Sequence, residues 1–162
     1  MPIGSEQFRD ALRHFPSGVT IVTILAPGEP PHGLTVSSFA SVSPKPPLIL
    51  VSIDHRASGH ALLQQEGAVF AVNILAQDQM ELSNRFAWVK DVDRFAAGRW
   101  ATAVTGAPIL EDAVAWLDCS LYAHYAAGTH TIYVGQVEAS AVPHPDASPL
   151  LYWNRGYRQL KQ

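Results

Sequence analysis

The sequence predicts a mainly β protein in which antiparallel strands close into a barrel with short peripheral helices. Six or seven segments have the β-branched or alternating apolar pattern of strands. These segments follow one another at hairpin-like spacings, and the helices predicted between them are few and short. No regular alternation of a strand with a long helix occurs, which argues against a doubly wound parallel sheet. The 162 residues fit a single domain, 1–162.

The first part of the chain is predicted to contain two short helices and three strands. Phe8, Leu12 and Phe15 fall on one face of an amphipathic helix, and Ser5 is placed to cap it. The prolines of PKPP interrupt the second and third strands. The predicted elements are a helix at 5–15, strands at 19–25, 34–43 and 48–53, and a helix that begins at Ser58.

The second part of the chain is predicted to contain further strands and one helix. Asp78 followed by Glu81 forms a capping-box pattern at the start of this helix. The stretch 88–108 is predicted to be irregular because it is rich in Gly, Ala and charged residues. The predicted elements are a strand at 68–75, a helix at 78–87, long strands at 115–125 and 130–142, and a short strand near the end.

Composition excludes several classes of function. A net charge of −3 gives no basic excess for contact with a phosphate backbone, so nucleic acid is not an expected partner. Cys119 is the one cysteine, which excludes an internal disulfide and a CxxC metal site. No apolar segment has the length of a membrane span or of a signal-peptide core, so we expect a cytoplasmic protein that does not associate with a membrane. With 48% hydrophobic and 15% charged residues, a homo-oligomer is plausible.

The motifs of several enzyme classes are missing: no GxGxxG, P-loop, HExxH or GxSxG occurs. His55 and His60 are the one suggestive histidine pair, and their loop setting does not favour a metal site. Five hydroxyl residues instead crowd into nine positions before the strand LILVSI. The residues are Thr35, Ser37, Ser38, Ser41 and Ser43.

Two interpretations of this hydroxyl run stay open. On a continuous strand, Thr35, Ser37 and Phe39 share a face, which is either a solvated edge or the wall of a ligand groove. The loop SIDHRASGH favours a groove, because Arg56 and the N–H groups at a helix start could bind phosphate. The alternative is that Ser58 simply caps the helix.

The chain also resembles the short-chain flavin reductase family over about residues 8 to 160. The most specific pieces are T-x-S-S-F at 35–39, F-x-V-N-x-L at 70–75 and G-x-H-T-x-x-x-G-x-V at 128–137, in the family's order. That family includes the reductase components of two-component flavin-dependent monooxygenases. The resemblance implies an FMN-binding split β-barrel, a homodimer with a flavin site at each subunit boundary, and hydride transfer from NADH or NADPH to FMN or FAD. A transient partner oxygenase would receive the reduced flavin.

The resemblance also implies site residues. Thr35, Val36, Ser37 and Ser38 would meet the polar edge of the flavin ring, and Ser52, Asp54, Arg56, Ser58, Gly59 and His60 its ribityl chain and phosphate. Phe86 would lie near the flavin, His130 near the nicotinamide, and Tyr157 at the mouth of the pocket. No metal is expected.

Three departures from the family pattern leave the choice of flavin open. Thr129 stands where many relatives have Asp, Ser52 where Cys is frequent, and His60 where a phosphate-binding Thr is usual. Two alternatives therefore remain. One is a protein of this fold that holds FMN tightly and acts on another small substrate, and the other is a non-catalytic flavin-binding dimer.

Overall fold

The computed structural model describes residues 1–161, and its main element is one seven-stranded antiparallel sheet. The strand order is β3-β2-β6-β9-β10-β5-β4. Its strands are β2 (Thr20–Leu25), β3 (His32–Val36), β4 (Ala40–Pro44), β5 (Pro47–Asp54), β6 (Val69–Ile74), β9 (Ala115–Ala127) and β10 (His130–Ala141). Two smaller sheets contain β1 (Ser17–Gly18), β7 (Trp100–Thr102), β8 (Pro108–Leu110), β11 (Leu151–Trp153) and β12 (Gly156–Arg158). The helices are α1 (Ser5–Leu12), α2 (Ser58–Leu63) and α3 (Met80–Trp88).

The seven-stranded sheet curves round the largest of three buried clusters. One buried cluster combines Ile24 of β2, Ile53 of β5 and Tyr133 of β10, although β2 and β5 lie far apart in the strand order. The two end strands, β3 and β4, follow each other in the chain and are joined by residues 37–39. The predicted antiparallel barrel with short helices is therefore confirmed. Among residues 1–161, no ladder pair joins β3 to β4, so the ring of backbone hydrogen bonds is open there.

The segment predicted as one strand over 34–43 is two strands, and that prediction is wrong. β3 pairs with β2 and ends at Val36, whereas β4 starts at Ala40 and pairs with β5. Residues 37–39 carry the chain from one end of the sheet to the other. The alternation of faces expected from Thr35 to Ser43 therefore does not continue across the break.

The three predicted helices form, with bounds that differ by one to three residues for the first and third, but their predicted caps are wrong. Gly4, Ala57 and Gln79 occupy the N-cap positions, and none makes a side-chain cap hydrogen bond. Ser5 and Ser58 are the first helical residues instead, and Asp78 precedes the cap of α3. No residue of α1 is buried, so its apolar face is exposed within this single chain.

The stretch 88–108 is more ordered than its composition predicts. A 3-10 turn at Arg94–Ala96 is followed by the β7–β8 hairpin. The buried carboxylate of Asp118 holds the connection between these two strands, because it accepts hydrogen bonds from the backbone N–H groups of Val104 and Thr105, both at 2.8 Å, and from the Thr105 hydroxyl.

The β11–β12 hairpin returns to the start of the chain. Ser17 of β1 pairs with Tyr152 of β11, and the backbone N–H of Asn154 donates to the carbonyl oxygen of Arg13 at 2.8 Å. The small sheet β1-β11-β12 therefore fixes the hairpin beside α3 and the end of β3. In the described chain, none of the helices combines the length and apolar character that crossing a membrane requires.

Candidate active site

A cavity of about 530 Å³ lies where the end of β3, helix α3 and the β11–β12 hairpin meet. Its wall combines apolar surface with a few polar groups, which is typical of small-molecule sites. The side chains that line it include Thr35 and Ser37 near β3, Asn84, Phe86 and Trp88 in α3, and Tyr152, Arg155 and Tyr157 in the hairpin.

Hydrogen bonds through Ser83 fix the relative positions of these three elements. The Thr35 hydroxyl donates to the carbonyl oxygen of Ser83 at 2.6 Å. The Tyr157 hydroxyl lies 2.8 Å from the Ser83 hydroxyl and donates to Oδ1 of Asn84 at 3.0 Å. Because Tyr157 has one proton and gives it to Asn84, the fully buried Ser83 hydroxyl donates to Tyr157. β3, α3 and β12 thus share one network beside the cavity.

Phe86 forms a rigid apolar part of the wall. Its ring is almost fully buried, with ring centroids 5.2 Å from Phe95 and 5.6 Å from Trp100. Gly33 makes room for it, because a Cβ atom there would lie 2.5 Å from Cε1 of Phe86. A bound ligand can therefore contact only the small part of Phe86 that faces the cavity.

The four residues predicted to meet the polar edge of a flavin separate into two pairs. Thr35 and Ser37 line the cavity, and in residues 1–161 the Ser37 hydroxyl has no protein hydrogen-bond partner. Val36 is buried, and its carbonyl oxygen accepts from the Thr20 hydroxyl at 2.6 Å. The Ser38 hydroxyl is occupied by the backbone of Ser52 on β5. Among Thr35, Ser37 and Ser38, Ser37 is therefore the residue whose hydroxyl is free to donate to a ligand in the cavity.

A second group of predicted residues meets at the adjoining ends of β5 and β10. His130 stands opposite Asp54 in the strand register. The Asp54 carboxylate accepts from Nε of Arg56 at 3.1 Å and from Nη2 at 2.8 Å, and these bonds hold the pKa of Asp54 well below its usual value. Nδ1 of His130 lies 3.0 Å from the Thr129 hydroxyl. These residues do not line the cavity, and Ala57 is the one residue of their loop that does.

The residues at the start of α2 contact three different parts of the protein. The Ser58 hydroxyl is 2.9 Å from Nε2 of His32. Gly59 is buried, and a Cβ there would meet Ile24 at 2.8 Å, so this glycine serves the packing of α2 on the sheet. Nδ1 of His60 is 2.7 Å from the Tyr133 hydroxyl. Within this chain the side chains of Ser58 and His60 are thus bonded to His32 and Tyr133, and the phosphate-binding role of Ser58, Gly59 and His60 stays a prediction.

Burial favours the neutral form of the His60 side chain. Loss of water contact lowers the pKa of His60, and the neighbouring His55 and His124 add to this effect. Its ring centroid lies 4.7 Å from that of His55. No group of three or more His, Cys, Asp or Glu in residues 1–161 could hold a metal ion.

Several residues that line the cavity were missed from the sequence. Asn84 and Trp88 share a helical face with the spacing i, i+4, a signal in SNRFAW that could have indicated them. Tyr152 and Arg155 lie in the hairpin YWNRGY. A turn at Asn154 and Arg155 could be expected from the sequence, whereas the position of this hairpin beside α3 could not.

Comparison with known proteins identifies the family. A model described as flavin reductase like domain matches residues 12–161. The chain belongs to the flavin reductase-like family. It is 40% identical over 158 residues to a flavin reductase (NADH) from Kitasatospora aureofaciens, covering 96% of this chain and 81% of that protein. It is 39% identical over 152 residues to the actinorhodin polyketide dimerase of Streptomyces coelicolor, covering 94% and 84%.

A solved structure agrees with this assignment. The NADH:FAD oxidoreductase of Streptomyces globisporus C-1027, in complex with NAD and FAD fragments, superposes with a TM-score of 0.88 at 33% identity and covers 99% of this flavin reductase and 97% of its own chain. The prediction of an NAD(P)H-dependent flavin reductase with this barrel fold is confirmed. The roles of the individual site residues remain predictions.

Proposed function

We propose that this flavin reductase transfers hydride from NADH or NADPH to FMN or FAD in the cavity between β3, α3 and the β11–β12 hairpin. The reduced flavin then passes to a partner monooxygenase. The observation that carries this proposal is a mainly apolar cavity of about 530 Å³ with the unpaired Ser37 hydroxyl in its wall. Such a wall fits a flat heteroaromatic ring with one polar edge.

The chain's own groups bind, orient and shield the reactants. When bound, a flavin supplies a two-electron acceptor for the hydride of the nicotinamide. Ser37 would donate a hydrogen bond to a flavin bound there, and this contact would favour the reduced, negatively charged form. Phe86, which is almost fully buried, keeps water away from one side of the cavity. The Ser83–Tyr157–Asn84 bonds keep the wall in place, so little reorganisation accompanies the reaction.

His130, Asp54 and Arg56 are proposed to complete the site at a subunit boundary. Within one chain they lie beside the cavity rather than in it. Tyr122 and Tyr125, near the tip of the β9–β10 hairpin, are 56% and 60% exposed, and such apolar exposure is typical of interfaces. We therefore propose a homodimer of the single domain 1–162, working in the cytoplasm. Sedimentation at micromolar concentration should give a dimer, and a monomer would contradict this part of the proposal.

One finding supports a second candidate function. A relative with 39% identity is named actinorhodin polyketide dimerase, and this name indicates a polyketide substrate instead of a free flavin. Under this candidate the protein would retain FMN and act on another small molecule. A purified protein with flavin bound after gel filtration would favour it, whereas a colourless protein that needs added flavin would favour the reductase with diffusible flavin.

Steady-state kinetics test the proposed reaction. Oxidation of NADH and of NADPH is followed at 340 nm with FMN, FAD or no flavin. We expect turnover with at least one pairing and none without flavin. Flavin binding without turnover would contradict the proposed reaction and would favour the alternative of a non-catalytic flavin-binding dimer.

A His130→Ala variant tests the role proposed for His130. It should raise KM for the nicotinamide while KM for flavin stays within about twofold, since the resemblance places His130 beside the nicotinamide. His144→Ala, an exposed histidine outside the site, is the control. Unchanged kinetics in His130→Ala would remove His130 from the site.

A further inference from the structure

Arg155 is the one charged side chain that lines the cavity in the described part of the chain. The other lining groups are apolar, hydroxyl or amide. Within residues 1–161, no carboxylate lies within 4.0 Å of its guanidinium and no hydrogen bond holds it. Arg155 also lines an adjacent groove that contains the acidic residues Glu6 and Asp10, and Asp10 is paired with Arg13 at 2.8 Å. The Arg155 charge is therefore available to a ligand.

The backbone at Arg155 adopts a conformation that favours glycine. Asn154 and Arg155 have φ values of +50° and +63° and form the two-residue turn between Trp153 and Gly156. In such a turn the second position is most often glycine, and a residue with a side chain in the left-handed region is strained. Backbone strain of this kind is concentrated at functional sites, and here it occurs at a residue that lines the cavity.

The surroundings of Arg155 suit a nucleotide. Tyr152 and the indole of Trp88, which is 78% exposed, line the same cavity and offer aromatic surface for a heterocyclic ring. A guanidinium binds phosphate oxygens through two parallel N–H bonds, which a single ammonium group cannot do. No other cation lines the cavity in residues 1–161. Arg56, the cation of the loop predicted to bind phosphate, is instead paired with Asp54 at 2.8 Å.

We propose that Arg155 binds a phosphate group of a nucleotide that occupies the cavity. This inference rests on the proposed function, in which a nicotinamide dinucleotide and a flavin nucleotide meet there. The phosphate can belong to either, and the experiment below distinguishes them. Arg155 is thus a binding residue in the β11–β12 hairpin, outside the loop 54–60 that the sequence indicates.

Three variants separate binding from structure. Arg155→Gly removes the charge and also relieves the left-handed strain, so it should raise Tm by about 2–4 °C while it weakens nucleotide binding. Arg155→Lys keeps the charge without the paired N–H groups and should give an intermediate effect. Arg158→Ala removes a similar charge from the same hairpin, but Arg158 does not line the cavity and should leave KM unchanged.

Kinetic constants identify the source of the phosphate. A rise of about tenfold or more in KM for NADH in Arg155→Gly, with flavin KM unchanged, assigns the contact to the nicotinamide dinucleotide. A similar rise for FMN and FAD but not for riboflavin, which has no phosphate, assigns it to the flavin. All KM values within twofold of the parent would overturn the proposal.

Equilibrium binding keeps this test independent of catalysis. If the parent protein fails to oxidise NADH with any flavin, the proposed function fails, yet dissociation constants for NADH, FAD and riboflavin can still be measured by fluorescence. Weaker binding of a phosphate-bearing ligand by Arg155→Gly, with Arg158→Ala like the parent, would still support the role of Arg155. Equal dissociation constants for Arg155→Gly and the parent would overturn it.

Discussion

The hydroxyl of Ser38 is hydrogen-bonded to both backbone groups of Ser52. It donates to the carbonyl oxygen at 2.8 Å and accepts from the N–H at 3.0 Å. Since Ala40 pairs with Leu50, Ser38 stands opposite Ser52 in the continued register of β4 and β5. Its side chain supplies β5 with the two hydrogen bonds of a backbone partner, in the segment that connects β3 to β4. The same contact fixes the neighbouring Ser37 at the cavity.

Ser38→Ala should therefore act on stability. Loss of both hydrogen bonds should lower the free energy of unfolding by about 0.5–1.5 kcal/mol, measured by urea denaturation. Ser37→Ala is the matched control, because its hydroxyl has no partner within the described residues and should affect flavin KM instead. An unstable Ser37→Ala together with an unaffected Ser38→Ala would reverse the assigned roles.

Tyr157→Phe should loosen the wall of the cavity. Its hydroxyl accepts from the buried Ser83 and donates to Asn84, so its removal leaves a buried donor without a partner. We expect a loss of about 1–3 kcal/mol in the free energy of unfolding and weaker flavin binding. Tyr152→Phe serves as control because no hydrogen bond of its hydroxyl occurs in the described residues. Equal stability of the two variants would disprove the importance of the network.

Gly59→Ala should destabilise the packing of α2. The new methyl carbon would lie 2.8 Å from Cδ1 of Ile24 and 3.2 Å from Cδ2 of Leu34, both on the sheet. We expect a loss of about 1–3 kcal/mol in a thermal or urea melt. Gly18→Ala should cost much less, because no atom lies within 4 Å of the position that its methyl group would take. If Gly59→Ala keeps full stability but loses flavin binding, Gly59 acts through its backbone at the ligand instead.

Stability should fall as the pH falls through the range below about 6.5, the ordinary pKa of histidine. The pKa values of His60 and His32 are lowered in the folded state, chiefly by burial. Between the folded and unfolded pKa values, the unfolded chain binds more protons, so acid favours unfolding. Tm should be higher at pH 8 than at pH 5.5, and His60→Asn should reduce the difference. A pH response unchanged by His60→Asn would contradict this assignment.

The elements that could be predicted from the sequence are those with local signals. Strands β2 and β6 follow from β-branched runs, and α3 from its apolar period. The break after Val36 could not be predicted, because it depends on which strands β3 and β4 pair with. The helix caps failed for a similar reason. Residues Gly4, Ala57 and Gln79 precede the helices without capping side chains, so the usual side-chain signal was misleading.

The site was only partly predictable for a related reason. Thr35, Ser37, Phe86 and Tyr157 line the cavity and were indicated by family resemblance. Tyr152 and Arg155 were not, because their place depends on pairing between β1 and β11, whose residues are distant in the chain. Gly59 was placed correctly in α2, but its close packing against Ile24 and Leu34 depends on the tertiary fold, and no local sequence pattern indicates it.

The return of the β11–β12 hairpin to β1 has a consequence for biosynthesis. All seven strands of the main sheet have been synthesised once Ala141 has been added, whereas Tyr152, Arg155 and Tyr157 follow later. A nascent chain can therefore form the barrel core before its cavity has a third wall. Ligand capture must wait for the final hairpin, so the barrel precedes the catalytic chamber in the order of synthesis.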